Sequence, residues 1–99
     1  MLIIDCHGHY TTTPDGHQAF RKEQLARLED PSLPLPAPAD ISDDEIRESV
    51  EKNQLKLLKE RGADLTIFSP RASAMAHHTG DPDTAMDWAR ANNDLIKRV

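Results

Sequence analysis

Two short apolar runs, separated by a long polar and helical segment, constrain the fold of this chain more than any other feature. Residues 2–6 and 65–68 are brief and rich in the aliphatic side chains of buried strands. Helical patterns lie between the two runs and after the second. A strand–helix–strand–helix order is typical of a parallel sheet with crossover helices. The sequence therefore predicts an α/β fold.

The segment after the first strand is predicted to be mixed in structure. Residues 11–16 form a polar turn, and residues 17–29 form a weak helix with Phe20, Leu25 and Leu28 as a sparse apolar stripe. Residues 30–40 contain four prolines, which lack the backbone N–H that helices and central strands need. We expect an extended loop there.

Two further helices carry clear start signals. Ser42-Asp43-Asp44-Glu45 matches a capping box, and Arg61-Gly62 supplies a matching stop, so one helix is predicted between them. Asp81-Pro82 starts the next helix, with Asp81 as the cap. The residues expected on its buried face are Met86, Ala89, Asn93 and Ile96.

The chain has 99 residues, which is enough for one small domain at most. Two strands do not make a stable parallel sheet, because such sheets are normally covered on both faces. The last predicted helix also reaches Val99 without a stop signal. We therefore expect residues 1–99 to be the amino-terminal part of a single larger α/β domain.

Composition excludes several classes of protein. Lys and Arg number 12 against 17 Asp and Glu, a net charge of −5 that disfavours nucleic-acid binding. No apolar run approaches the ~18 residues of a membrane span, and the first residues lack the basic start of a signal peptide. A single cysteine, Cys6, excludes an internal disulfide. These features favour a reducing, cytoplasmic compartment.

The sharpest chemical motif is Asp5-Cys6-His7-Gly8-His9, at the end of the first strand. A strand repeats every two residues, so Asp5, His7 and His9 are expected on one face, with Cys6 buried on the other as a small hydrophobe. Two imidazoles on one face can bind one metal ion, and neutral imidazole suits Zn²⁺. Gly8 would allow a close approach, and Asp5 could orient a ligand imidazole.

The other histidines offer weaker signals. Five histidines in 99 residues make a chance H-x-H motif plausible, so structural or incidental roles for His7 and His9 remain an alternative. His77 and His78 are adjacent and fit a solvated loop better than one metal site. His17 is predicted to lie at the surface.

The loop after the second strand contains Arg71 and Ser73. Loops that follow the carboxyl ends of parallel strands build the active sites of α/β proteins. Arg71 could clamp a substrate carboxylate through two hydrogen bonds, and Ser73 could add a hydroxyl donor. An exposed loop arginine without function is an equally open alternative.

A first strand ending in Ile-Asp-Cys-His-Gly-His and followed by a βα unit resembles the amidohydrolase superfamily of metal-dependent (β/α)8 barrels. The resemblance implies that this chain holds the first βα units of such a barrel. It implies that His7 and His9 are zinc ligands and that Arg71 and Ser73 contact a small polycarboxylate substrate. The remaining ligands and the proton-transfer residues would come from later strands.

Ser-Pro-Arg-Ala-Ser at residues 69–73 favours the superfamily members that hydrate unsaturated polycarboxylates in the catabolism of aromatic compounds. The expected activity of the complete protein is that of a zinc-dependent hydro-lyase, with self-association into a homo-oligomer also compatible. One alternative is a metal-dependent decarboxylase or hydrolase on the same fold. Another is a non-enzymatic, marginally stable segment that acts as an interaction piece.

Overall fold

A computed structural model describes residues 1–70 and 78–99 of the chain. Its elements confirm the predicted α/β class. They are β1 (Ile4–His9), α1 (Asp15–Glu29), α2 (Asp43–Glu51), α3 (Gln54–Glu60), β2 (Leu65–Ser69) and α4 (Pro82–Arg98). Residues 30–40 contain neither helix nor strand, as their prolines predict. No helix among the described residues is long and apolar enough to cross a membrane.

The two strands pair in parallel, which confirms the central prediction. Ile4 is opposite Leu65 at the start, and His9 is opposite Ser69 at the end. Asp64 fixes the start, because its carboxylate accepts the Ile3 N–H at 2.8 Å and its own N–H donates to the Ile3 carbonyl at 2.9 Å. The first strand ends at His9 and not at Cys6 as predicted, so both motif histidines lie within the sheet.

The prediction that these strands are buried is wrong for one face of the sheet. Ile4 is 46% exposed, Leu65 52% and Ile67 58%, and Cys6 is exposed as well. The described helices pack on the other side, where the Phe68 ring lies 5.3 Å from that of Tyr10. A parallel sheet normally has both faces covered, whereas these apolar side chains remain exposed.

The single helix predicted to begin after Ser42 is broken into α2 and α3. Its capping box is confirmed: Ser42 Oγ accepts the Glu45 N–H at 3.2 Å, and the Glu45 carboxylate accepts the Ser42 N–H at 2.8 Å. The break falls at Asn53, whose side-chain amide donates to the Ser49 carbonyl at 2.8 Å. Asparagine side chains compete with backbone hydrogen bonds in this way, which apolar spacing does not reveal.

The last helix starts where predicted but buries a different face. Asp81 caps it by accepting the Thr84 N–H at 2.7 Å. Met86 is 47% exposed, contrary to prediction. The fully buried indole of Trp88 sets the rotation of the helix, because an indole contributes more buried area than any neighbouring side chain. The buried residues of this helix are Trp88, Asn92 and Leu95.

His17 is buried against this helix and does not lie at the surface as predicted. Its ring stacks on Trp88 with centroids 4.5 Å apart, and its Nε2 lies 3.1 Å from Asn92 Oδ1. The Arg21 guanidinium lies 5.1 Å from the centre of the same indole. The contact between α1 and α4 is thus polar and aromatic, which the sparse aliphatic stripe predicted for α1 did not reveal.

A second cluster joins the helices to the end of the sheet. Its buried members are Tyr10, Ile41, Ile46 and Leu95. At the end of α4, the Arg98 guanidinium donates to the Ile41 carbonyl at 2.6 Å and to Asp43 at 2.7 Å. This contact holds the start of α2 against the last helix.

The burial of His17 predicts a pH-dependent stability. Burial lowers the pKa of His17 below its ordinary value of about 6.5, an effect that the Asn92 hydrogen bond partly opposes. The folded state therefore favours the neutral ring, while the unfolded chain takes up the proton more readily. The stabilisation is present above the unfolded pKa and is lost as the pH falls below it toward the folded pKa.

We expect the melting temperature of the full-length protein to decrease as the pH is lowered from 7.5 to 5.5. His17→Gln should have a lower melting temperature that depends less on pH. Calorimetry across this range measures both. The matched control is His78→Gln, which changes an exposed histidine and should retain the wild-type slope. Equal slopes in His17→Gln and wild type would show that another group is responsible.

Candidate metal and substrate site

His7 and His9 converge at the carboxyl end of β1. Their Nε2 atoms lie 2.8 Å apart, and their ring centroids are separated by 4.7 Å at an interplanar angle of 63°. The pair stands at the edge of the sheet where β2 also ends. Two imidazole nitrogens this close together are suited to bind one cation as a pair of histidine ligands.

Asp5 does not share the face predicted for it. The ladder is irregular between Asp5 and Gly8, so that Asp5 pairs with Thr66 whereas His9 pairs with Ser69. Thr66 and Ser69 are three positions apart and therefore lie on opposite faces of β2. Asp5 and His9, which pair with them, lie on opposite faces of β1. The Asp5 carboxylate accepts the His7 backbone N–H at 3.0 Å, so it supports the irregular backbone beneath the histidines.

His9 is held by the last residues before the loop that follows β2. Its Nδ1 lies 2.9 Å from the Pro70 carbonyl oxygen and 3.0 Å from Ser69 Oγ. The Ser69 hydroxyl also donates to the Gly8 carbonyl at 2.8 Å. Sequence reasoning missed both contacts, although the signal existed: Ser69 ends the second strand as His9 ends the first, and aligned strand ends place them side by side.

Tyr10 anchors the chain as it leaves the site. Its N–H donates to the Ser69 carbonyl at 2.8 Å, and its hydroxyl forms a hydrogen bond with Ser49 Oγ. Burial raises the pKa of Tyr10, an effect that the Ser49 hydrogen bond partly offsets. Tyr10 therefore remains a neutral anchor between the sheet and α2.

Gly8 is required by the close approach of β2. A β-carbon at this position would lie 2.3 Å from Thr66 Cγ2 and 3.2 Å from the Ile67 carbonyl oxygen. The close approach expected at Gly8 is thus made by the neighbouring strand. A larger residue at this position would require Thr66 or the neighbouring strand to shift.

The predicted substrate contacts Arg71 and Ser73 lie outside the described residues, as does His77. His78 is exposed, in agreement with a solvated position. Within residues 1–70 and 78–99, no group of three or more His, Cys, Asp or Glu side chains is placed to hold a metal ion. His7 and His9 fit a zinc site as two of its ligands, and any further ligand must come from elsewhere.

Comparison with known proteins identifies two hydratases. The chain is 60% identical over its whole length to 2-keto-4-carboxy-3-hexenedioate hydratase of Sphingobium sp. (strain NBRC 103272 / SYK-6), and it spans 29% of that protein. It is 47% identical to the crystal structure of 4-oxalomesaconate hydratase from Rhodopseudomonas palustris. That match has a TM-score of 0.85 and covers 98% of this chain and 28% of the other. No known protein-family model matches the chain.

The packing around Gly8 predicts a specific clash. Gly8→Ala should lower the free energy of unfolding by about 1–3 kcal/mol, the usual range for overpacking, because the added methyl meets Thr66. Denaturant titration of the full-length protein measures the loss. Thr66→Ser removes the offending Cγ2 and should make Gly8→Ala less costly in that background. Equal costs in both backgrounds would mean that the Thr66 contact is not the cause.

Proposed function

We propose that this chain is the first part of a zinc-dependent hydro-lyase that adds water to 4-oxalomesaconate. The observation that carries the proposal is the convergence of the His7 and His9 Nε2 atoms, 2.8 Å apart, at the carboxyl end of a parallel strand pair. Active sites of parallel α/β folds form at this end of the sheet. The names of both similar proteins support hydration over the decarboxylase and hydrolase alternatives.

The proposed fold of the complete protein is a (β/α)8 barrel of the amidohydrolase type. The chain spans less than a third of each similar protein, which leaves room for the remaining strands and helices. The apolar face that includes Ile4, Leu65 and Ile67 is available for later strands to cover. Those strands would also bring the missing metal ligands and the acid that protonates carbon.

In this proposal His7 and His9 hold the zinc ion through Nε2. Bound Zn²⁺ supplies Lewis acidity, which polarises carbonyl groups and lowers the pKa of water toward ~7. The protein fixes where that acidity acts. Ser69 and Pro70 hold the ring of His9, and Tyr10 anchors the backbone beside it.

The substrate chemistry fits a cationic, metal-containing site. The name of the Sphingobium relative's substrate describes three carboxylates and a 2-keto group conjugated to a C3–C4 double bond. Hydration forms a C4–O bond to water and shifts the π electrons toward the ketone oxygen. A proton is then added at C3, and the product is 4-carboxy-4-hydroxy-2-oxoadipate. The negative charge that develops on the ketone oxygen is what a preorganised electrostatic site stabilises.

Arg71 and Ser73 are the proposed contacts for the substrate carboxylates. Arg71 directly follows Pro70, whose carbonyl lies 2.9 Å from His9 Nδ1, so the loop begins beside the candidate ligand. A tricarboxylate brings several negative charges into a partly desolvated site, and these need fixed donors. Guanidinium offers a planar, two-pronged contact that ammonium cannot reproduce.

The metal assignment is tested by removing each histidine. In the full-length protein, His7→Ala and His9→Ala should each reduce bound zinc and nearly abolish turnover, because each removes one of a small set of ligands. Elemental analysis measures zinc, and steady-state hydration of 4-oxalomesaconate measures activity. His78→Ala, at an exposed histidine, is the control and should retain both. Undiminished zinc in the two variants would contradict the assignment.

The role of Arg71 is tested by Arg71→Lys. The variant should keep its zinc but lose about 2–4 kcal/mol of transition-state binding, the range for a desolvated charge-assisted pair. This appears as a fall in kcat/KM of roughly 30- to 1,000-fold. Arg47→Lys, at an exposed arginine paired with Asp44, should leave kcat/KM unchanged. A wild-type value for Arg71→Lys would remove Arg71 from the site.

A further inference from the structure

We infer that Ser69 is a positioning residue that, together with the Pro70 carbonyl, fixes the tautomer of His9 and presents its Nε2 lone pair. The inference concerns the protons on one ring, and its consequence for zinc rests on the proposed function. It is carried by three distances around two atoms: 2.9 Å from Nδ1 to Pro70 O, 3.0 Å from Nδ1 to Ser69 Oγ, and 2.8 Å from Ser69 Oγ to Gly8 O.

The Pro70 carbonyl decides where the proton of His9 lies. A carbonyl oxygen only accepts hydrogen bonds, so a nitrogen 2.9 Å away must donate. An unprotonated Nδ1 would instead set two lone pairs against each other. In the neutral imidazole only one nitrogen carries hydrogen, so a proton on Nδ1 leaves Nε2 as a lone pair.

Ser69 favours the same tautomer of His9, because its single hydroxyl proton is already donated in another hydrogen bond. That proton points to the Gly8 carbonyl at 2.8 Å, which leaves the oxygen lone pairs for the His9 ring at 3.0 Å. Both neighbours of Nδ1 are therefore acceptors. Without Ser69, only one of the two acceptors would remain.

The same reasoning separates the two histidines. If His9 Nε2 is a lone pair, then His7 Nε2 donates the hydrogen bond that joins them at 2.8 Å. His9 is thus set in advance as a ligand, whereas His7 must move its proton to Nδ1 before both nitrogens can bind one cation. The structure assigns the two members of the motif unequal roles.

The tautomer is measured directly in the zinc-free, full-length protein. Long-range ¹H–¹⁵N spectra of ¹⁵N-histidine-labelled protein at pH 8.5 distinguish the two neutral forms, and His9→Asn identifies the relevant signals. We expect the Nδ1–H form of His9 in the wild type and a measurable share of the Nε2–H form in Ser69→Ala. A wild-type ring protonated on Nε2, or an unchanged tautomer ratio in Ser69→Ala, overturns the inference.

Zinc affinity provides the second readout, by competition with a chromophoric chelator. Ser69→Ala should weaken binding roughly 10-fold, the lower end of the usual effect of such supporting residues, because Pro70 remains. Ser69→Thr keeps the hydroxyl and should restore tight binding, and Ser32→Ala, at an exposed serine, is the control. An unchanged zinc Kd in Ser69→Ala overturns the positioning role. A wild type that binds no zinc refutes the proposed function, and the spectra still decide the tautomer.

Discussion

The pairing of the two strand ends is the constraint on which the rest of the structure depends. His9 lies opposite Ser69, and the Tyr10 N–H donates to the Ser69 carbonyl at 2.8 Å. These contacts bring the histidine pair, the serine hydroxyl and the start of the next loop to one edge. Gly8 makes the pairing feasible, because only a hydrogen fits where Thr66 approaches. The candidate chemistry therefore rests on backbone geometry as much as on the histidines.

The helices pack through two clusters of different character, of which the apolar one reaches this edge. Tyr10 and Ile46 join α2 to the sheet within an apolar cluster, while His17 and Trp88 join α1 to α4 within a polar and aromatic one. Leu95 lies in the apolar cluster and Trp88 in the polar and aromatic one, so α4 connects both. Displacement of this helix would disturb both clusters.

The sequence was a reliable guide where a signal is local. The two strand segments, the capping box at Ser42 and the start of the last helix at Asp81 follow from short-range patterns, and the structure contains them. The parallel pairing follows from the order of the elements. It was a poor guide where a long-range contact decides. The burial of His17 against Trp88, 71 positions further along the chain, is such a case. The break at Asn53 is local, where a side-chain amide donates to the Ser49 carbonyl, but apolar spacing does not reveal it. The convergence of His7 and His9 was predicted, but the support from Ser69 was not.

The contact between His9 and Pro70 joins residues 61 positions apart in the sequence, and this separation has a consequence for folding and evolution. Closing a flexible loop becomes costlier only logarithmically, by about 0.6 kcal/mol for each doubling of its length. The proline-rich connection can therefore lengthen or shorten between species at little cost in equilibrium stability. The rate of folding is more sensitive to the length of the connection, because the two segments that it joins must meet before they can pair. A longer or shorter connection should therefore change the rate at which the histidine edge forms more than the equilibrium stability of the fold.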